Sequence, residues 1–161
     1  MKGRRLDAMW NIDVTTVAAA LARDPSIRLQ RSRPNLFGRV MGWVMLQTQI
    51  RGSGLMPWYF HTTMTKRDQR RPRMEQGLGV VVGGRAVFYP RAEIERGGIQ
   101  SGTVDVWDGR ELKLRIREED RIPTAEWADG ERPFQLFSRW YGFSFTYPDC
   151  EVFSAPEGDQ A

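Results

Sequence analysis

Apolar and polar positions are most regular in the middle of the chain. Leu78 to Val82 and Arg85 to Tyr89 are β-rich runs on either side of Gly83-Gly84. Two glycines between such runs predict a hairpin, because both can take positive φ. Pro90 closes the second run, and Ala92 to Arg96 has room for one helical turn before Gly97-Gly98. Val104 and Val106, then Leu112, Leu114 and Ile116, alternate with polar neighbours around Asp108-Gly109. That pattern predicts a second hairpin with one wet face. Phe134 to Phe145 and Glu151 to Phe153 are expected to add aromatic strands near the end.

Upstream the pattern is mixed. Asp13 is placed to cap a helix from Val14 to about Arg23, carried by Ala18 to Ala22. Asp24-Pro25 should end it, since proline disfavours helical geometry in the residue before it. Ile27 and Leu29 alternate with Arg28 and Gln30, which predicts a short half-buried strand. Leu36 to Ile50 fits two elements. Leu36, Val40, Trp43 and Val44 share a helix face, yet Gly38 and Gly42 weaken a helix, and Val44, Leu46, Thr48 and Ile50 also fit a strand. Arg51-Gly-Ser-Gly54 reads as a turn and Pro57 to Phe60 as extended chain. The sum is an α+β fold, mainly short antiparallel β-strands and hairpins with one N-terminal helix. We expect one domain over 1–161, with flexible ends at 1–12 and 157–161, a basic loop at 65–75 and a β-rich block at 76–153.

Composition narrows the chemistry. With 161 residues, 40% of them apolar and 27% charged, the chain is ordinary for a globular domain. Nine prolines and sixteen glycines suit a fold of many turns. One cysteine, Cys150, excludes an intramolecular disulfide, and with one histidine, His61, it cannot build a structural zinc site. No metal or cofactor is expected. Met1-Lys-Gly-Arg-Arg5 is followed by residues too polar for a signal peptide, and Arg39, Gln47 and Gln49 interrupt the longest apolar run. A cytoplasmic location is therefore expected.

Charge is divided between the halves. The net charge is +4, but residues 1–85 carry a balance of +10 and residues 86–161 one of −6. Lys66, Arg67, Arg70, Arg71 and Arg73 form the densest basic cluster and are candidate anion-binding residues for nucleic acid or an anionic membrane. The competing expectation is that they fold back on acidic residues such as Asp108, Glu111 and Glu118 to Asp120. No RNA-recognition, zinc-finger or helix-turn-helix motif accompanies them.

Catalytic motifs are lacking. The glycines at 77, 79, 83 and 84 make neither a dinucleotide fingerprint nor a P-loop, and there is no Gly-x-Ser-x-Gly elbow. His61 and Cys150 remain as the candidates for catalysis. Trp58 and Tyr59 could wall a pocket, and Tyr89 with Arg91 could present a hydroxyl and a guanidinium to a ligand. Cys150 sits among Tyr147, Pro148, Val152 and Phe153, a context that suits a buried, inert thiol.

An ordered series of landmarks carries a family resemblance. Asp68, Arg70, Pro72 and Glu75 precede Leu78-Gly79-Val80; Gly84, Ala86, Tyr89 and Pro90 follow; Trp140, Phe143, Pro148, Asp149 and Val152 close the series. Together they resemble the family called domain of unknown function 3179, and specifically its C-terminal half. Many members are longer and carry a Tyr-Cys-x-x-Cys-like motif that implies redox chemistry. This chain has no such motif, so the resemblance implies a β-rich half-domain and a redox function is not carried over from it.

The leading expectation is a non-catalytic binding or assembly module, as a homodimer or with a protein partner. The alternatives are a redox or hydrolytic accessory enzyme using Cys150 and His61, and an anionic polymer or membrane-surface binder acting through the basic loop.

Overall fold

Two glycine-bearing turns set the frame. The structure, a computed structural model, describes residues 11–30, 33–50, 68–97 and 103–154. Strand β1 (Gln76–Val82) pairs antiparallel with β2 (Arg85–Pro90), Val82 facing Arg85. Gly83 and Gly84 turn between them with φ of 58° and 88°, a geometry that costs side-chain-bearing residues strain. The second hairpin joins β3 (Thr103–Trp107) to β4 (Arg110–Ile116) through Asp108 and Gly109.

Three more strands complete two sheets. β5 (Pro123–Trp127) adds to β4, giving the order β3-β4-β5. β6 (Phe134–Arg139) pairs antiparallel with β1, and β7 (Glu151–Val152) pairs parallel with β2, giving β6-β1-β2-β7. The described helices are α1 (Val17–Arg23), α2 (Leu36–Ile50), α3 (Arg91–Arg96) and α4 (Trp140–Thr146). The fold class is α+β with mostly antiparallel strands, as expected.

The larger sheet is buried on both faces. Leu78, Val80, Val87 and Tyr89 point toward the smaller sheet and meet Leu112, Leu114, Trp107 and Trp127. β4 alternates as its sequence requires, Leu112, Leu114 and Ile116 inward and Glu111, Lys113 and Arg115 outward. Ala86 and Phe88 point the other way, into a second core with Trp140, Phe143 and Cys150. There α4 lies so close to β1 that a Cβ on Gly79 would fall 1.9 Å from the Phe143 ring. Only hydrogen fits between them.

One side chain joins the sheets. The Gln135 carboxamide on β6 accepts from Ala125 N at 2.8 Å and donates to Ala125 O at 3.0 Å. It thereby imitates a neighbouring strand at the free edge of β5. The Gln135 backbone N donates to Asn11 Oδ1 at 2.9 Å, and Asn11 Nδ2 donates to Pro133 O at 2.9 Å. Farther along, Arg117 pairs with Asp13 and Asp120 and donates to Val14 O, while the Thr15 hydroxyl donates to Asp120. Burial alone would push the Asp120 carboxyl up; Thr15, the Ile122 amide and Arg117 hold it below its usual range.

Several expectations need correction. The aromatic run from Phe134 does not stay extended: the strand ends at Arg139 and Trp140–Thr146 is helix. Trp140 and Phe143, three residues apart, share a helix face and bury together against Phe88, which outweighs their β propensity. Ile27 and Leu29 form no strand and stay exposed, because no sheet edge pairs with them. α1 starts at Val17, capped by the Thr16 hydroxyl, while Asp13 is drawn away to Arg117 and Arg23. The sequence did not predict β5, since Thr124 on its outward face is buried along with Ala125 and Trp127 and blurs the alternation. The ambiguous stretch Leu36 to Ile50 is helix, with Asn35 Oδ1 accepting from Gly38 N at 2.8 Å. The expected turn at 51–54, the extended 57–60, and the ends 1–10 and 157–161 lie outside the described residues.

The contact at Gly79 yields a test. Gly79→Ala must push Phe143 out of the second core and is expected to lose about 1–3 kcal/mol or more of stability. Urea unfolding at neutral pH measures it, and a loss near zero would mean that α4 does not lie where described.

Candidate functional site

The basic loop turns out to be a structural clamp. Arg70 Nε and Nη2 engage the Asp68 carboxylate, Nη2 at 2.7 Å, while Nη1 donates to Cys150 O at 2.6 Å and Nη2 also reaches Pro148 O at 3.2 Å. The same guanidinium sits 5.2 Å from the centre of the Trp140 ring. Arg71 makes a two-point pair with Glu75 at 2.7 and 2.6 Å. Glu75 O and Arg73 O accept from Trp140 N and Tyr141 N, so the loop's own carbonyls cap the first turn of α4. The counter-charges are local, Asp68 and Glu75, and not the stretch Glu118 to Asp120. Arg70 holds the Asp68 carboxyl below its usual range through that hydrogen bond.

Landmarks separated in sequence meet here. Asp68 and Arg70 touch Trp140, Pro148 and Cys150. Cys150 is 2% exposed, and its sulfur lies 3.8 Å from Arg70 Nη2. Burial pushes its thiol up, although Arg70 pulls the other way. Little thiolate forms at neutral pH, which is the reverse of what a nucleophile needs.

A second polar group lies where the two sheets meet. Tyr89 is wholly buried, and its hydroxyl donates to Asp105 Oδ2 at 2.5 Å. Trp107 Nε1 donates to Tyr89 Oη at 2.7 Å and to Asp105 Oδ2 at 3.0 Å. Arg85 covers the Trp107 ring at 4.4 Å and pairs with Glu151 through two contacts of 2.9 and 2.7 Å. Burial pushes the Tyr89 phenol far up, reinforced by its bond to Asp105. Its hydroxyl is a fixed donor, not a titrating acid.

The expected site residues are therefore dispersed. Tyr89 is enclosed, whereas Arg91, two residues on, pairs with Glu95 at 2.9 Å on α3. Arg73 is the member of the basic cluster whose guanidinium has no ion-pair partner among the described residues. A crevice of ≈ 450 Å³ follows the loop, lined among the described residues by Asp68 to Arg73. The cavity under the N-terminal segment, bordered by Val14, Leu78 and Gln135, measures ≈ 20 Å³, room for about one water. His61, Trp58, Tyr59, Lys66 and Arg67 lie outside the described residues. Among the described residues no cluster of His, Cys, Asp and Glu could hold a metal ion.

Sequence reasoning missed the polar joints. Asp105 and Trp107, two apart on one strand, necessarily share a face, and that spacing was the available signal for their partnership. Gln135 offered none, because an inward amide in an aromatic run looks like any other polar residue. The least satisfied surface is α2. Leu36 is 76% exposed, Phe37 73% and Trp43 63%, and α2 has no extended packing contact with any other described element. No described helix is long and apolar enough to cross a membrane.

Tyr89→Phe leaves Asp105 and Trp107 in place but removes the hydroxyl. We expect a loss of about 1.5–3 kcal/mol at neutral pH, the range for a hydrogen bond to a charged group. The raised phenol also sets a sign: this contribution is full below the ordinary tyrosine pKa of about 10 and declines as pH rises above it. Urea unfolding at neutral and strongly alkaline pH should show the gap between wild type and variant narrowing; a constant gap would contradict the assignment.

The chain matches no protein-family model, no curated protein and no solved structure.

Proposed function

We propose that this chain is a non-catalytic docking module, a β-rich body that holds the exposed helix α2 for a partner. One contrast carries the reading. In the body, the groups that could do chemistry are committed to structure: Arg70 to Asp68 and Cys150 O, Tyr89 to Asp105, Arg117 to Asp13 and Asp120. In α2, the large apolar side chains of Leu36, Phe37, Val40 and Trp43 are exposed, and the helix has no extended packing contact with another described element, the arrangement that marks interaction surfaces. The likeness to the C-terminal half of the domain of unknown function 3179 family belongs to the same proposal. It is supported by the way Asp68 and Arg70 meet Trp140, Pro148 and Cys150, which gives those landmarks a packing role.

The competing enzyme reading needs a reactive Cys150. Iodoacetamide labelling of the native chain at neutral pH is expected to run at least about 100-fold slower than labelling of a free thiol, and to become fast once urea unfolds the chain. Rapid labelling of the folded protein that slows on His61→Ala would replace the docking reading with a catalytic one.

A further inference from the structure

The charge around α2 identifies what it docks on. Seven Lys or Arg and no Asp or Glu lie between Asp24 and Asp68. Of these, Arg28, Arg33 and Arg39 are described and exposed, and none has an ion-pair partner among the described residues. Many arginines of the body, though not Arg73, are neutralised, as at Arg70–Asp68, Arg71–Glu75, Arg85–Glu151 and Arg110–Asp129. In sequence, Arg28 and Arg33 precede the helix that exposes its apolar side chains, and Arg39 lies within it.

From this coincidence, and resting on the docking reading, we propose that α2 lies on the surface of an anionic phospholipid membrane. Leu36, Val40 and Trp43 share one side of the helix with Phe37 and Met41 beside them; Gly38 lies opposite, and Arg39, four residues before Trp43, borders the apolar side. The apolar side enters the acyl boundary, Trp43 sits at headgroup level, and the arginines meet lipid phosphates. At 1.5 Å per residue the fifteen residues of α2 reach about 22 Å, short of the ~30 Å hydrocarbon core. Over its described length we place the helix along the surface. A second copy of the chain is a poorer occupant. A two-fold interface would bring Arg28, Arg33 and Arg39 toward their own copies, with no carboxylate in the segment to answer them. A phosphate-bearing surface answers all three.

Co-sedimentation of the full chain with lipid vesicles tests this, with light scattering on the same preparation. The expected result is a monomer that binds vesicles of two-thirds phosphatidylcholine and one-third phosphatidylglycerol, and not phosphatidylcholine alone. Replacing Arg28, Arg33 and Arg39 together by Glu should weaken binding on the order of 100-fold or more. Val40→Asp with Trp43→Asp should abolish it. Both variants change exposed positions, and an unchanged near-ultraviolet dichroism of the buried tryptophans verifies that the body is folded. A dimer that ignores vesicles and is split by the apolar variant overturns the lipid assignment but keeps the docking reading. A monomer that ignores vesicles overturns the lipid assignment and removes α2 from the docking reading. Vesicle binding indifferent to both variants also overturns it, because lipid contact would then lie elsewhere.

Discussion

The fold depends on the pairing of the Gln135 carboxamide with the backbone of Ala125. β5 has a free edge, and its amide and carbonyl at Ala125 are buried where water cannot reach them. Leaving such groups unpaired costs more than the bond itself contributes. One glutamine satisfies both and binds the three-stranded sheet to the four-stranded one. Because its backbone amide also meets Asn11, the same residue anchors the N-terminal segment. The core between the sheets, from Leu78 to Trp127, can close only when this joint is made.

Arginine serves as a second kind of joint. Arg70 ties a loop to the turn before β7 and stacks on Trp140; Arg117 ties the N-terminal segment to the turn after β4; Arg110 stacks over Trp127 at 4.5 Å. A planar fork that both stacks and donates in several directions suits such joints better than a lysine would. Each exposed pair contributes little by itself. Their shared consequence is chemical: much of the body's basic charge is committed to structure, while Arg28, Arg33 and Arg39 have no ion-pair partner among the described residues.

Both hairpins were legible because Gly83-Gly84 and Asp108-Gly109 are local signals that need no tertiary context. The helix turn after Pro90 was legible for the same reason. α4 was not, since Trp140, Tyr141, Phe143 and Phe145 favour a strand by propensity, and only the space left by Gly79 makes the helix better. β5 was hidden because its outward-facing Thr124 is buried, which blurs the alternation. The candidate site was legible in outline: the sequence placed charge around residues 66–73 and aromatic residues near 140, but not that Arg70 would turn inward onto Trp140 and Cys150. Whether a basic residue faces water or a backbone carbonyl is decided by packing across about 80 positions of chain, beyond the reach of any local pattern.

The central claim is a division of labour between a closed body and an open helix. Hydrogen exchange of the full chain, measured residue by residue with and without phosphatidylglycerol-containing vesicles, tests it most directly. The account requires new protection within Leu36–Ile50, with the amides of β1, β2, β4 and β6 unchanged and already slow. Protection that appears in the loop around Arg70 or the strands around Tyr89, with α2 unaffected, would contradict it and place the working surface on the body.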